Sequence, residues 1–280
     1  MTTQSASPLT QHSPEGNAGR GELDGQVVAV FGAGSRADGL SNGQAAALTF
    51  ARAGAAVACI DLDGSAADYV AEQIVREGGT AIAIQADVTD EADVIKAFSS
   101  IASTWEPPTA VHNNVGVAIA GAVTDLDRDG WDRGLALNLT SCYLTARHAL
   151  PAMLDRGKGA IVNVSSTASI RDTGYVYPVY NSSKAAVNQL TVSLALTYAA
   201  QGIRVNAVLP GLIDTPIGRQ VTDANDLDKA MATRHAASPT HRMGTPWDVA
   251  NAALFLLSDR AAYVNGVLLP VDGGLSQRCL

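Results

Sequence analysis

The chain has 280 residues, of which 47% are hydrophobic and 16% are charged. This composition is typical of a globular protein that buries a sizeable core without disulfide or metal staples. Its 19 basic and 27 acidic residues give a net charge of −8, the wrong sign for a protein whose main partner is nucleic acid, and no run approaches the roughly 18 apolar residues of a membrane span.

Three cysteines, Cys59, Cys142 and Cys279, are scattered along the chain without CxxC spacing or a companion histidine. An odd number of widely spaced thiols disfavours a disulfide framework and a zinc site and is typical of a reducing cytosol. We therefore predict a cytoplasmic protein without a bound metal, in which these thiols serve packing or, for Cys279, belong to the tail.

Residues 1–24 are dominated by Ser, Pro, Gly, Gln and Thr and contain neither a basic start nor an apolar run. Such a segment lacks the features of a signal peptide and has too little apolar surface to form a core. We predict a flexible N-terminal tail, followed by one domain over residues 25–280.

Short apolar runs alternate with amphipathic stretches throughout that domain. The apolar runs predict strands at residues 27–31, 56–61, 80–87, 109–114, 159–166, 203–210 and 266–271. The stretches between them predict helices at residues 43–53, 65–79, 90–103, 131–156, 178–200 and 246–257. Short strands without polar alternation are buried on both faces. The sequence therefore predicts an α/β fold: a single-domain, Rossmann-type, doubly wound parallel sheet of about seven strands, with helices on both faces.

The loop between the first strand and the first helix is rich in glycine, with Gly32 and Gly43 eleven residues apart. Glycines in this position permit a tight turn and let backbone N–H groups approach a pyrophosphate at the helix N-terminus. Ser35 and Arg36 of the same loop are further candidates for cofactor contact. The spacing is longer than the usual fingerprint, so an ordinary turn remains an alternative.

Acidic residues end the second and third predicted strands. Asp61 stands where a carboxylate bonds the adenosine ribose hydroxyls and repels a 2′-phosphate, which favours NAD over NADP, whereas Arg36 would favour NADP. The alternative for Asp61 is a helix N-cap. Leu62 follows it as a cofactor candidate, and Asp87, next to Val88, has a similar choice between capping and adenine contact.

A tyrosine and a lysine four residues apart, Tyr180 and Lys184, lie near the start of the helix that Pro178 opens. For tyrosine to act as a base near neutrality its pKa must fall by ~3 units, or ~4 kcal/mol. One cation at ~4 Å in an effective dielectric of about 20 supplies ~4 kcal/mol, so Lys184 with an oxidised nicotinamide is sufficient. Ser166, at the end of the fifth strand, is placed to hold a substrate oxygen.

Taken in chain order, these features resemble the short-chain dehydrogenase/reductase family over about residues 24–275. The shared marks are the glycine loop, Asp87-Val88, Asn113-Asn114-Val115-Gly116, Asn138 within LALNLT, Ser166 within NVSS, Tyr180 with Lys184, Pro210-Gly211 with Thr215, and VDGG near the end. The resemblance implies a nicotinamide cofactor and a small-molecule alcohol or ketone as substrate.

In this family pattern Asn138, Ser166, Tyr180 and Lys184 form the catalytic set. The resemblance implies that Tyr180 exchanges the alcohol proton and that Ser166 polarises the carbonyl. Lys184 would lower the tyrosine pKa and bind the nicotinamide ribose, and Asn138 would hold a water of the proton relay. The further cofactor contacts that it implies come from Asn114, Val115, Gly116, Pro210, Gly211, Ile213 and Thr215, the last two at the carboxamide.

The chain departs from the family pattern mainly in the glycine loop. Phe31 stands where the family has Thr, Ser41 occupies the middle glycine position when Gly43 is the last, and Val115 replaces an Ala. These departures leave open which loop residues contact phosphate. On the catalytic side, Ser165 remains an alternative to Ser166.

Two segments are candidates for the substrate pocket. Tyr175 and Tyr177 either line it or pack at a subunit contact, and residues 218–243 form either a substrate lid or an inert surface excursion. Because the sequence near the site shows few fixed charges and no cluster of Lys or Arg, we predict a neutral secondary alcohol. Tyr177 joins Ser166 and Tyr180 as a candidate substrate contact.

The sequence therefore predicts an NAD-dependent oxidoreductase that interconverts a secondary alcohol, including cyclic and aromatic ones, and its ketone. Alternatives are a dehydratase or epimerase of the same fold and a non-catalytic nucleotide-binding regulator. By resemblance we also predict a homotetramer, assembled through the two long helices near residues 131–156 and 178–200, whose small residues permit close approach.

Overall fold

A single parallel sheet organises residues 21–35, 39–216 and 227–278, which are those that the computed structural model describes. Its seven strands lie in the order β3-β2-β1-β4-β5-β6-β7, and every neighbouring pair is parallel. The strands, numbered in chain order, are Val27–Phe31, Ala56–Asp61, Thr80–Gln85, Ala110–Asn113, Gly159–Val164, Ile203–Pro210 and Leu268–Val271.

Helices cover both faces of this sheet. In chain order α1 to α8 are Asn42–Arg52, Gly64–Arg76, Glu91–Thr104, Arg128–Leu135, Ser141–Arg156, Pro178–Tyr198, Leu227–Ala237 and Pro246–Leu257. The side chains of β1 alternate between two cores: Val28 and Val30 pack with residues of α1, α2 and α8, whereas Ala29 and Phe31 pack with residues of α3, α5 and α6. The predicted doubly wound Rossmann-type sheet is confirmed.

Most helices begin where a short polar side chain or a proline dictates. Ser41, Asp63 and Asp90 cap α1, α2 and α3 by accepting hydrogen bonds from N–H groups of the first turn, as such residues commonly do. Two alternatives from the sequence are therefore wrong, because neither Asp61 nor Asp87 caps a helix. Pro178 opens α6 as predicted.

The predicted helix over residues 131–156 is not continuous. Its α-helical parts, α4 and α5, are joined by a π-helical turn over Ala136–Thr140 that contains Asn138. A π turn adds a residue to one turn and is frequent at functional sites. It leaves the apolar pattern almost unchanged, so periodicity does not reveal it.

The folded part of the chain begins before residue 25. Leu23 is fully buried and donates its backbone N–H to the carbonyl of Ala53, so residues 21–24 pack on the domain although they were predicted to belong to the tail. A single leucine in a polar segment has no periodicity that would reveal its burial. Residues 1–20 of that predicted tail lie outside the described residues, as do Arg36 and Cys279.

Candidate active site

A cavity of about 670 Å³ opens at the carboxyl ends of β4, β5 and β6. This edge is where ligands bind in open α/β sheets. Of the residues predicted to touch cofactor or substrate, the cavity is lined by Asn114, Gly116, Ser166, Tyr177, Tyr180, Lys184, Pro210, Gly211, Ile213 and Thr215. The topology thus brings together residues from four distant parts of the chain.

Tyr180, Ser166 and Lys184 are adjacent on the wall of this cavity. Ser166 hydrogen-bonds the Tyr180 hydroxyl, and the Lys184 ammonium lies 5.8 Å from the centre of the Tyr180 ring. The Lys184 Nζ donates to the carbonyl oxygen of Val164 at 2.7 Å, which fixes the end of the lysine against β5. A phenol hydroxyl, a second hydroxyl and a cation therefore lie close together on the cavity wall.

Burial controls the electrostatics of this group. It raises the pKa of Tyr180 above its usual range, and this effect outweighs the hydrogen bond with Ser166, which lowers that pKa. Burial also lowers the pKa of Lys184, which is only 2% exposed. With these residues alone the tyrosine is protonated at neutral pH, so the lowering of its pKa predicted from the sequence requires more than the lysine.

Of the two serines at the end of β5, Ser166 is the one that faces the tyrosine. The hydroxyl of Ser165 donates to the backbone carbonyl of Lys184 at 3.1 Å and so ties β5 to α6. Ser166 accepts a hydrogen bond from the N–H of Ala168 and keeps its contact with Tyr180. Both line the cavity, with different partners.

Asn138 is fully buried behind the cavity and does not line it. Its side chain accepts from the N–H of Val117 at 2.7 Å and donates to the Val117 carbonyl and the Ser183 hydroxyl. These bonds hold the segment after β4 against α6. In this geometry the side chain positions its neighbours, and the role of Asn138 in holding a relay water stays a prediction.

Gly116, on that segment, allows the lysine to approach. A Cβ at this position would lie 3.0 Å from the Lys184 Nζ and 3.2 Å from Asn138 Oδ1, tighter than most real contacts. Asn114 donates its side-chain amide to the carbonyl of Gly32 at 2.9 Å, so it joins the end of β4 to the glycine loop. Val115 lies against the same glycine.

The glycine loop packs the start of α1 tightly against the end of β1. Gly32 has φ +78°, and a Cβ on Gly43 would stand on the carbonyl oxygen of Gly32, so no larger residue fits at position 43 without moving the helix. Ser41, at the predicted middle-glycine position, caps α1 and lines the cavity. Ser35, in the same loop, is buried.

The residues predicted to contact the adenosine half of the cofactor follow β2 and β3. Asp61 accepts hydrogen bonds from the N–H groups of Gly34 at 2.9 Å and of Asp63 at 3.2 Å, which fixes its carboxylate beside the glycine loop. Leu62 is exposed and Val88 is buried. The Asp87 carboxylate bonds the N–H and the hydroxyl of Thr89, so it closes a local turn.

These residues fit a dinucleotide along the carboxyl edge. The first turn of α1 has N–H groups that the helix itself does not use, and such groups bind phosphate. The close approach at Gly32 and Gly43 leaves no side chain between the loop and that helix end. A carboxylate, Asp61, stands beside this loop, and a buried amine, Lys184, stands at the cavity end. Along the sheet edge, Asp61 at β2, the loop after β1 and Lys184 beside β5 follow the order of the adenosine ribose, the phosphates and the nicotinamide half of such a cofactor.

The aromatic pair before α6 lines the cavity. The rings of Tyr175 and Tyr177 stack with centroids 5.4 Å apart, and Tyr177 meets Tyr180 edge-on at 6.2 Å. Part of the predicted lid also reaches the cavity, through Thr233, Arg234 and Ala237 of α7, while residues 218–226 of it lie outside the described ranges.

The expectation of few fixed charges near the site is wrong. Arg171 and Arg234 both line the cavity. Arg171 lies between Ser166 and Tyr180 in the sequence, and Arg234 lies within the predicted lid. Arg234 reaches Tyr175 from 59 residues further along the chain, and only the packing of α7 over the sheet edge brings the two together.

Comparison with known proteins identifies the family of this parallel Rossmann-type sheet, whose edge carries a Tyr–Lys pair and a Ser. A family profile described as enoyl-(acyl carrier protein) reductase matches residues 37–276. The chain is 40% identical over 255 residues to 2-(S)-hydroxypropyl-CoM dehydrogenase 3 of Xanthobacter autotrophicus, covering 91% of this chain and 98% of that one. It is 35% identical over 254 residues to 2,5-dichloro-2,5-cyclohexadiene-1,4-diol dehydrogenase of Sphingobium indicum, covering 91% and 97%.

A solved structure of a short-chain dehydrogenase/reductase from Burkholderia xenovorans superimposes with a TM-score of 0.87 at 40% identity and covers 93% of this chain and all of that one. The chain therefore belongs to the short-chain dehydrogenase/reductase family and is an oxidoreductase of that family. The resemblance found in the sequence is confirmed.

Proposed function

We propose that the protein is an NAD-dependent dehydrogenase that interconverts a secondary alcohol and its ketone. The observation that carries the proposal is the convergence of Tyr180, Ser166 and Lys184 on one cavity at the carboxyl edge of the sheet. The names of two relatives, one acting on a 2-hydroxypropyl group and one on a cyclic diol, support a secondary alcohol as the reacting group.

Each residue of the site has its own role in the proposed reaction, which follows from its position. Bound NAD supplies the hydride acceptor for oxidation of the alcohol. Tyr180 exchanges the proton of the substrate hydroxyl, and Ser166, already bonded to Tyr180, holds the same oxygen. Lys184 adds a positive charge beside the tyrosine, which favours its phenolate form. Asn138 keeps Gly116 and Val117 in place beside that lysine.

The proposed cofactor contacts follow the edge of the sheet from end to end. The glycine loop of β1 and the start of α1 take the phosphates, Asp61 and Leu62 the adenosine ribose, and the turn after β3 the adenine. The nicotinamide half is held by the ends of β4 and β6 together with α6. The residues in these groups are Gly32, Ser35, Arg36, Gly43, Asp61, Leu62, Asp87, Val88, Asn114, Val115, Gly116, Tyr180, Lys184, Pro210, Gly211, Ile213 and Thr215.

The test is an assay of cofactor absorbance at 340 nm with a panel of secondary alcohols and ketones, run in parallel with NAD(H) and NADP(H). Turnover with NAD(H) supports the proposal. Binding of NAD without an absorbance change for any substrate would favour a dehydratase, an epimerase or a nucleotide-binding regulator instead. Titration of NAD by intrinsic fluorescence separates that outcome from a failure to bind the cofactor.

Asp61 is expected to set the cofactor preference. Asp61→Asn keeps an acceptor for the Gly34 N–H but removes the charge that repels a 2′-phosphate. We expect the ratio of kcat/KM for NADP to that for NAD to rise on the order of 10- to 100-fold, or about 1.4–2.8 kcal/mol. Asp68→Asn, which removes an exposed carboxylate from α2, is the matched control. An unchanged ratio in the Asp61 variant would count against this role.

We also propose a homotetramer that assembles through α5 and α6. Both helices expose large apolar side chains, with Tyr143 of α5 46% exposed and Leu196 of α6 76% exposed, and such residues together favour an interface. Light scattering after size-exclusion chromatography is expected to give a mass about four times the 28.8 kDa of one chain. A mass near one chain would contradict the proposal.

We propose a cytoplasmic location because the two described cysteines form no disulfide. Cys59 and Cys142 are buried and unpaired, and burial raises the pKa of the Cys59 thiol to about 12, so both are inert packing residues. Within the described ranges, no helix is both long enough and apolar enough to span a bilayer.

A further inference from the structure

The charge of the cavity is opposite to that of the protein. The chain has a net charge of −8, yet the described residues lining the cavity include the cationic side chains of Arg171, Lys184 and Arg234 against one carboxylate, that of Asp172. Lys184 is accounted for by the catalytic group. The two arginines have no part in the mechanism or in the proposed cofactor contacts.

Arg234 is the more unusual of the two. It is 8% exposed, its Nη1 donates to the hydroxyl of Tyr175 at 3.3 Å, and its Nε is buried without a hydrogen-bond partner among the described residues. None of the acidic residues in the described part of the chain forms an ion pair with it. A guanidinium keeps its charge when buried, and a buried charge is costly unless it is paired.

The acidic residue of the cavity does not offset this charge. Asp172 is exposed, and its carboxylate accepts the N–H of Gly174 at 2.8 Å. Arg171 donates to the carbonyl oxygens of Ser276 and Ile170, which are neutral acceptors. Among the described residues that line the cavity, cationic side chains therefore outnumber anionic ones.

A row of aromatic rings connects Arg234 to the reacting group. The guanidinium bonds the hydroxyl of Tyr175, whose ring stacks on Tyr177, and Tyr177 in turn meets Tyr180 edge-on. Arg234 thus lies in the same cavity as the Tyr180 hydroxyl, and the rings of Tyr175 and Tyr177 lie between them. A substrate that reaches both needs a hydroxyl at one end and a negative group at the other, with an apolar stretch between them along the rings.

We propose that Arg234 binds an oxyanion of the substrate, a carboxylate or a sulfonate, and that the physiological substrate is an anionic secondary alcohol. This rests on the proposed function. Guanidinium and oxyanion form charge-assisted, often bidentate hydrogen bonds, which would pair the buried charge that the protein leaves unpaired. Arg171, at the same cavity, adds to the attraction without contacting the reacting group.

The first experiment compares matched alcohols with the wild-type enzyme. Hydroxy acids whose carboxylate lies two to six carbons from a secondary hydroxyl are assayed against their methyl esters and against the corresponding hydroxysulfonates. We expect at least one acid or sulfonate to exceed its neutral ester in kcat/KM by roughly 10- to 100-fold, as expected for hydrogen bonds to a charged group. Preference for carboxylate or for sulfonate identifies the oxyanion. Equal kcat/KM for the esters and for both kinds of anion would overturn the proposal.

The second experiment uses Arg234→Gln and Arg234→Lys. We expect Arg234→Gln to remove the preference, mainly by raising KM for the anionic alcohol roughly 10- to 100-fold, while turnover of the methyl ester, which reports folding, changes little. Arg234→Lys keeps the charge without the planar fork and should lose part of the preference. Arg242→Gln, which removes an exposed arginine outside the cavity, is the control. A raised KM for NAD with unchanged discrimination among alcohols would assign Arg234 to the cofactor and refute the proposal.

A binding measurement separates this inference from the proposed function. Calorimetric titration with pentanoate, pentanesulfonate and pentanamide needs no turnover. We expect either anion to bind the wild-type protein at least about tenfold more tightly than the amide, and this difference to vanish in Arg234→Gln. If the protein turns over no alcohol but shows this difference, the proposed reaction fails while the anion site stands. Equal affinity for anions and amide means that the site is absent.

Discussion

Replacing Tyr180 with Phe is expected to lower kcat for alcohol oxidation by at least about 10³-fold, within the range for loss of a general acid–base group. The variant loses only the hydroxyl that Ser166 bonds, while its ring can keep the edge-on contact with Tyr177 and the position above Lys184. Affinity for NAD should therefore stay within about fivefold, since one hydrogen bond between neutral groups contributes about 1 kcal/mol or less.

The measurement is steady-state kinetics at 340 nm together with fluorescence titration of NAD. Tyr263→Phe is the matched control, because Tyr263 is fully exposed and does not line the cavity. That control should retain wild-type kinetics. If Tyr180→Phe turns over alcohol at a rate near that of the wild type, Tyr180 does not carry the proton and the proposed mechanism fails.

The sheet could be predicted because its strands are short, apolar and separated by helices. The bounds of β1, β2, β6 and α8 agree with the sequence pattern, since each is delimited by a glycine, an acid or a proline that leaves little choice. The π-helical turn at Asn138 could not be predicted, because one added residue in a helix of mixed polarity does not alter its periodicity. Leu23 was missed because burial of an isolated side chain depends on what packs over it.

The candidate site also contains some features that could be predicted from the sequence and others that could not. The spacing of Tyr180 and Lys184 predicted that they share a helix face, and the ends of β4, β5 and β6 meet at one edge in any parallel sheet. Arg234 lies within the segment predicted as a substrate lid, but whether its side chain enters the cavity depends on how α7 folds over that edge. The same limit applies to Asn138, because hydrogen bonds to Val117 and Ser183 exist only once the segment after β4 has packed against α6.

Lys184 is expected to control the pH range in which the enzyme oxidises alcohols. In the proposed mechanism oxidation uses the phenolate of Tyr180, so we expect its rate to rise with pH until the pH exceeds the tyrosine pKa. Burial raises that pKa, and the cation opposes this rise. At the 5.8 Å between ammonium and ring centre, an effective dielectric of about 20 gives about 3 kcal/mol, or about two pH units.

Lys184→Met should therefore move the midpoint of the pH profile of kcat for oxidation upward by about two units and lower kcat near neutral pH by about 100-fold. Part of the loss should return as the pH rises, because the phenolate then forms without the cation. Lys96→Met, which removes an exposed lysine paired with Asp93 on α3, should leave the profile unchanged. A loss in Lys184→Met that is equal at every pH would mean that the lysine only supports structure, through its bond to the carbonyl of Val164, and does not act on the tyrosine pKa.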